Sequence, residues 1–272
     1  MKVRGSEGYA HNVPFQHPEL DDAGKWYINE TTGVRTQFPK QLDWRVSGGV
    51  TPVRDQANCG SCWAFGTAAV IESRVNRFLF DKHTQPLFQF SEQAIVDCIW
   101  STGNETTAGL HGCDGGIADA TMERIITQYD GKLPRLSDYP YLSQDMRCDN
   151  GKWSYDDVTL ESFSNTANDS IGQLKYALMS GPVTVAIVVT EKMMFYSGGI
   201  FDDDECVDND YNALGHQVTA VGWGYDQELD KEYWIIKNSW SNAWGIDGYI
   251  NIAFDHCGVL LSTTVPNLVA KK

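Results

Sequence analysis

Two cysteines stand three residues apart in the stretch QANCGSCWAF, Gln56 to Phe65. Cys59 and Cys62 could hold half a zinc site, but the second C-x-x-C or spaced histidine pair that such a site needs is absent. They could form a redox pair, but that chemistry sits after a strand in a βαβ unit, and here the strand-like segments come late in the chain. The remaining reading splits the pair: Cys59 is half of a disulfide and Cys62 is a free thiol. The count agrees, because the chain has seven cysteines, and six can pair. Cys62 also opens an apolar stretch with helical spacing. At a helix N-terminus the dipole and unpaired N–H groups favour an anion, so the thiol should ionise easily. A nucleophilic thiolate needs a histidine as its proton partner. Six histidines are present, and spacing alone does not choose among them.

The elements that position such a pair follow from the apolar pattern. Between residues 62 and 79, Ala64, Ala68, Ile71, Val75 and Phe78 recur at 4-3-4-3 spacing and predict a helix with one apolar face. SEQAIVDC places Ser91 as the N-cap of a second helix. IADATMERIITQY, Ile117 to Tyr129, predicts a third. Later segments change character. Those starting at Pro182, His216, Glu232 and Gly248 are β-rich and separated by Gly, Asp and Asn. Helices first and strands later predict an α+β fold of two lobes. Residues 1–38 are polar. Their WYINETTG resembles the middle of a WW module without the rest of it, so they read as an N-terminal extension or pro-segment remnant.

Composition excludes several functions. The formal net charge of −15 repels nucleic acid and anionic membrane and suits an acidic compartment. No run of eighteen apolar residues exists to cross a membrane, and the opening residues hold no apolar signal-peptide core. Sequons at Asn29, Asn104 and Asn168 mark glycosylation candidates, and with the odd-cysteine framework they favour a secretory route. The acidic run Asp202–Asp208 reads first as a solvated loop, with basic-substrate attraction or calcium as rarer uses.

QANCGSCWAF, GCDGG (Gly112–Gly116), HQVTAVGWG and YWIIKNSWSNAWGIDGYINI together resemble the signature blocks of the papain family of cysteine proteases, the cathepsin L-like branch more than the cathepsin B-like one. The similarity spans roughly Leu42 to Pro266. It implies a helical left lobe, about residues 39–150, and an antiparallel β-barrel-like right lobe, about 151–266, with the active-site cleft between them. Residues 267–272 would be a tail, and the mature chain would begin near Phe38–Gln41. The resemblance implies Cys62 as nucleophile, His216 as acid and base, Asn238 as the group orienting the imidazole, and Gln56 as an oxyanion donor. Trp240 would shield the His216–Asn238 bond and Trp244 would line the leaving-group side. Taken singly, each of these partners reads as an ordinary core, turn or surface residue; the joint pattern carries the assignment.

The same resemblance implies disulfides Cys59–Cys113, Cys98–Cys148 and Cys206–Cys257. Substrate backbone would lie along Gly115 and Gly116, with Gly60 in the neighbouring subsite. The side chain two residues before the cut would meet Ile117, Ala118, Ala186, Leu214 and Ser262, a small apolar wall with no acid at its end, so a hydrophobic residue is expected there. No His-His occluding loop follows Gly116. An endopeptidase is therefore expected, with a dipeptidyl aminopeptidase as the alternative if residues 1–38 block one end of the cleft. An inactive binding protein of the same fold is the rival class. No cofactor or metal is expected, activity should prefer reducing, mildly acidic conditions, and the chain should be a lysosomal, endosomal or secreted monomer. Its partners would be peptides, proteins and cystatin-like inhibitors. Three positions depart from the family's usual pattern: Gly215, Gln217 and Ser241.

Overall fold

The computed structural model describes residues 10–13, 15, 19–79, 87–101, 109–153, 158–206 and 210–270. A short hairpin, β1 (Trp26–Ile28) and β2 (Arg35–Gln37), precedes β3 (Leu42–Asp43). Three helices follow: α1 (Cys62–Leu79), α2 (Glu92–Cys98) and α3 (Ala118–Tyr129). The second half holds β4 (Val158–Ser164), α4 (Ile171–Met179), β5 (Val183–Ile187), α5 (Glu191–Met194), β6 (Ile200–Phe201), β7 (His216–Asp226), β8 (Lys231–Lys237), β9 (Tyr249–Ala253) and β10 (Thr263–Ala270). The Ser91 side chain accepts from the Ala94 N–H at 2.9 Å, which is the cap expected for α2. The larger sheet runs β4-β10-β5-β7-β8-β9-β6, with β3 added to β7. Its pairs are antiparallel except β6 with β9.

Two apolar cores result. One packs Trp223, Trp234, Ile236 and Ile250 of the sheet against Leu174 and Leu178 of α4. The other joins Trp63, Ile71, Ile95 and Met122 of the helices to Leu160 and Phe163 of β4. Strand β4 thus seals the helical core although it belongs to the second half of the chain. Strand β10 continues past Pro266, and Leu268 to Ala270 pair with β4.

Helix α1 departs from its one-faced pattern, since every residue from Trp63 to Asn76 is buried. The helix lies between the cores, and its polar residues find partners there. Arg74 Nε donates to the Pro182 carbonyl at 3.0 Å, and Glu72 accepts from Thr51 at 2.6 Å and Arg54 at 2.7 Å. Close approach to the sheet needs Gly66. A Cβ there would stand 2.8 Å from Gln217 Cγ and 2.9 Å from Thr184 Oγ1.

The N-terminal segment folds onto the sheet. Tyr27 stacks near Phe38 and Tyr176, with ring centroids 4.9 and 5.7 Å apart, and Phe38 meets Trp223 edge-on. His11 reaches Glu123 of α3 at 3.0 Å.

Candidate active site

Cys62 is the first residue of α1 and is partly exposed. The chain before it is pinned. Cys59 is bonded to Cys113, Gly60 N–H donates to the Cys113 carbonyl at 2.8 Å, and the Ser61 hydroxyl meets Tyr141 Oη at 2.6 Å. Trp63 Nε1 donates to Gly112 at 3.1 Å. A Cβ on Gly116 would lie 2.2 Å from the Trp63 ring, so packing demands that glycine whatever binds above it. The other implied bridges, Cys98–Cys148 and Cys206–Cys257, are formed as well, and Cys62 is free.

His216 opens β7, and its Nε2 lies 2.7 Å from Asn238 Oδ1, so that ring nitrogen is the donor to the amide oxygen. The same oxygen accepts from Ser239 N–H at 2.8 Å. The Ser239 hydroxyl donates to Gln56 Oε1 at 2.6 Å, and Gln56 Nε2 donates to the Cys59 carbonyl at 2.9 Å. One Gln56 N–H is therefore held, and a second remains, since an amide nitrogen carries two. Sequence reasoning did not assign Ser239, although it stands inside a quoted block; its role depends on two partners brought together by the fold. The Trp240 ring stacks on His216 at 4.7 Å between centroids. Trp244 meets Trp240 edge-on at 5.0 Å and donates from Nε1 to the Met194 carbonyl.

Cys62, His216 and Gln56 share one cavity of about 820 Å³, whose wall also includes Gly60, Gly115, Gly116 and Trp240. Ile117, Ala118, Ala186, Leu214 and Ser262 line it too. Trp244 is not on this wall and reaches it only through Trp240. No described residue from 10 to 38 lines the cavity; the segment packs on α3, α4 and the sheet.

The wall is not wholly apolar. Asp119, one residue beyond the expected contact Ala118, lines the cavity together with Asn165, Thr263 and Thr264. An acid therefore lines the same cavity as the expected subsite residues. Asp119 lies in the first turn of α3 and is gripped from elsewhere: Asn165 Nδ2 donates to its two oxygens at 3.2 and 3.1 Å, and the Thr264 hydroxyl donates to Oδ1. Burial pushes its carboxyl up to about 6 against those donors.

Burial also acts on the two central groups. It raises the Cys62 thiol above its ordinary value, against hydrogen bonds from backbone at Gln217, Trp63 and Cys62 itself. It lowers the His216 imidazole to about 4, against the Asn238 bond. Burial thus opposes the helix end at the isolated thiol. A proton moved from sulfur to ring changes no net charge, and it leaves a pair of opposite charges rather than one buried ion.

The departures are structurally absorbed. Gln217 Nε2 donates to Thr184 Oγ1 at 2.9 Å. Ser241 takes a left-handed φ of +68°, and its hydroxyl accepts from the Ala243 N–H at 3.1 Å. Gly215 stays exposed, and a Cβ there would make only an ordinary contact, 3.9 Å from the Ala213 carbonyl oxygen. In the acidic run, Asp203 pairs with Lys192 at 2.7 Å and Asp202 with Lys231 and His256. Among the described residues no cluster of potential ligands could hold a metal ion. Among the sequons, Asn29 caps a turn by accepting from Thr31 and Thr32, Asn168 is exposed at the cavity, and Asn104 lies outside the described residues.

The sequence matches the profile of "Papain family cysteine protease" over residues 38–266. It is 37% identical over 237 residues to procathepsin L of Rattus norvegicus, covering 85% of this chain and 66% of that protein. It is 37% identical over 240 residues to a probable cysteine protease, RD21B, of Arabidopsis thaliana, covering 86% of this chain and 47% of that one. The chain thus spans only about half to two thirds of these relatives. In structure it is similar to the bromelain protease of Ananas comosus, solved with the E64 inhibitor. The TM-score is 0.71 with 31% identity, over 84% of this chain and 99% of that one. It is also similar to digestive procathepsin L 3 of Tenebrio molitor larval midgut. There the TM-score is 0.71 with 30% identity, over 95% and 76% of the two chains.

Proposed function

The chain belongs to the papain family of cysteine proteases, and on that premise we propose that it hydrolyses peptide bonds as an endopeptidase through Cys62 and His216. One observation carries the reading. A hydrogen-bonded path runs from the His216 ring through Asn238 and Ser239 to the Gln56 amide, and Cys62, His216 and Gln56 face one cavity. A base, its orienting group and an oxyanion donor are thereby held in one rigid chain beside the nucleophile.

Cys62 gives its proton to His216, and the sulfur attacks the scissile carbonyl carbon. The carbonyl oxygen takes up the electron pair and accepts hydrogen bonds from the Cys62 N–H and the second Gln56 N–H. His216 then protonates the departing amine, and an acyl-thioester remains on Cys62. Water, deprotonated by His216, attacks that ester, and the thiol is regenerated by return of the proton. Trp240, stacked on the ring, keeps water from the His216–Asn238 bond. Asn238 holds the ring through that bond. Gly60, Gly115 and Gly116 flank the substrate backbone, and Ile117, Ala118, Ala186, Leu214 and Ser262 surround the apolar body of the side chain two before the cut. Three disulfides fit an oxidising, lysosomal or secretory setting. None of the described residues between 10 and 38 lines the cavity, which supports endopeptidase action over aminodipeptidase action.

The test is cleavage of N-terminally blocked peptides by the chain and by its Cys62→Ser and His216→Ala variants. The wild type should cut, and each variant should lose about 10³-fold or more in kcat. Equal rates in all three proteins would end this reading.

A further inference from the structure

Two residues of α4 are shaped for a neighbour that is part of neither core. Gly172 is the second residue of the helix, and glycine is among the poorest helix formers. Its reason lies outside the helix: a Cβ there would stand 2.1 Å from the Asp21 carbonyl oxygen. Lys175 is buried, and its Nζ donates to the Gly24 carbonyl at 3.3 Å as well as to Glu232 at 2.8 Å. Together they make a socket for the segment before residue 38. The segment matches it. Gly24 takes a left-handed φ of +70°, and a Cβ on it would lie 2.7 Å from Ile171 Cγ2. The Gly172 N–H, one of the helix's otherwise unpaired donors, gives its hydrogen bond to the Asp22 carbonyl at 2.9 Å. The Ser170 hydroxyl donates to Asp22 Oδ1 at 2.8 Å.

The contacts extend in both directions. Toward the chain start, the segment covers the free edge of β4. The Val13 N–H donates to the Phe163 carbonyl at 2.8 Å, and the Phe163 N–H donates to the His11 carbonyl at 3.0 Å. The His11 N–H and ring each meet the Glu123 carboxylate of α3 at 3.0 Å. Toward residue 39, Tyr27 and Phe38 are buried, and Trp223 Nε1 donates to the Pro39 carbonyl at 3.1 Å. Phe163 and the Met122 face of α3 belong to one core, Trp223 and the Leu174 face of α4 to the other. The segment therefore spans both cores.

We propose that the described residues from His11 to Pro39 are a clasp that joins the two cores and stays on the working protease, so that no maturation cut falls near Phe38–Gln41. The clasp itself does not depend on the peptidase reading above; its presence on a working protease does. Removing it would strip the N–H and carbonyl of buried Phe163 of their partners and leave buried Lys175 with one partner fewer. It would also leave Gly172 as a weak point in α4 with nothing to fit against.

The experiment is limited trypsin digestion of the full chain, in a Cys62→Ser background that stops self-digestion, with cut sites and rates read by mass spectrometry. Lys25 and Arg35 have exposed side chains, so slow cutting there reports a docked backbone. It should be about 100-fold or more slower than in the urea-unfolded chain. Gly172→Ala, which pushes against the Asp21 carbonyl, should speed cutting at Lys25 by about 10-fold or more. Asp22→Ala changes only an exposed residue of the segment, leaves the socket intact, and should speed it by about fivefold. In the unsubstituted protein after incubation at pH 5.5, the chains that cut a blocked peptide should begin at or before His11. Active chains that begin after His11 overturn the inference. Cutting at Lys25 as fast as in the unfolded chain overturns it, and so does slow cutting that neither variant changes. Protection of Lys25 in a protein that cuts no peptide refutes the peptidase reading alone.

Discussion

At the scale of single residues, the site is a relay with Ser239 at its middle. Its N–H fixes Asn238 and its hydroxyl fixes Gln56. Losing the Gln56 donor should cost about 10²–10³ in kcat. Ser239→Ala leaves that donor present but releases its carbonyl, so kcat should fall by about 10-fold with KM little changed, and the loss should vanish in a Gln56→Ala background. A steady-state double-mutant cycle decides this, and an additive loss would place Ser239 outside the relay. The pH profile belongs here too. The Cys62–His216 pair keeps one proton between the lowered imidazole value, about 4, and the raised thiol value, above its ordinary range. Activity on a substrate with leucine two before the cut should therefore rise through pH 4 and stay on a plateau past neutrality. A kcat/KM acid limb near 6.5 would show that burial does not act on His216 as argued. Cys62, His216, Asn238 and Gln56 were legible because each sits inside a short motif. Asp119 was not, because its meaning depends on Asn165 and Thr264, 46 and 145 positions away.

At the scale of elements, α1 shows what a pattern of spacing leaves out. Its 4-3-4-3 apolar series is real, but the helix lies between two cores and buries the opposite face as well. Glu72, Arg54, Glu92 and Lys237 form a buried charged group there. Lys237 Nζ donates to Thr51 at 3.0 Å, and Arg54 lies 2.7 Å from both Glu72 and Glu92. Burial pushes the Glu92 carboxyl up to about 7 against the attraction of Arg54. The folded value lies above the unfolded one, about 4.3. Between those values the folded chain binds more protons, so the contribution of Glu92 to stability declines as pH rises from about 4.3 to 7. Glu92→Gln should flatten that decline. Urea midpoints at pH 5 and pH 7 read it, and a variant whose midpoints change with pH as steeply as the wild type would contradict it. Strands β5, β7, β8 and β9 were legible from their β-branched and aromatic runs. The pair β4 and β10 was not, since VTLESFS mixes polar and apolar residues and its partner lies about a hundred residues away. Helix α4 did carry a local signal, the Ser170 N-cap that accepts from the Gln173 N–H at 3.2 Å, ahead of a short Ile-Gly opening.

At the scale of the whole molecule, the two cores, three bridges and one free thiol form one arrangement. Cys59–Cys113 ties the residues before the nucleophile to the loop that leads to the specificity wall. The N-terminal segment, read as an extension, adds Tyr27 and Phe38 to the sheet's apolar surface. Tyr27→Ala should therefore lower stability by about 3 kcal/mol, the ordinary cost of a buried aromatic truncation, with kcat/KM unchanged. Chemical unfolding and a peptide assay on one sample measure both, and a lost kcat/KM with unchanged stability would place the segment in catalysis instead. The central claim is that Cys62 alone among seven cysteines is an activated nucleophile. Iodoacetamide added to the unreduced protein at pH 5.5, followed by peptide mapping and assay of residual cleavage, tests it most directly. Ordinary thiols, with pKa about 8.5, react very slowly at that pH. The account predicts alkylation at Cys62 only, with cleavage lost in proportion and the rate abolished by His216→Ala. An unmodified Cys62 in a protein that still cleaves, or a Cys62 that reacts equally fast without His216, would contradict it.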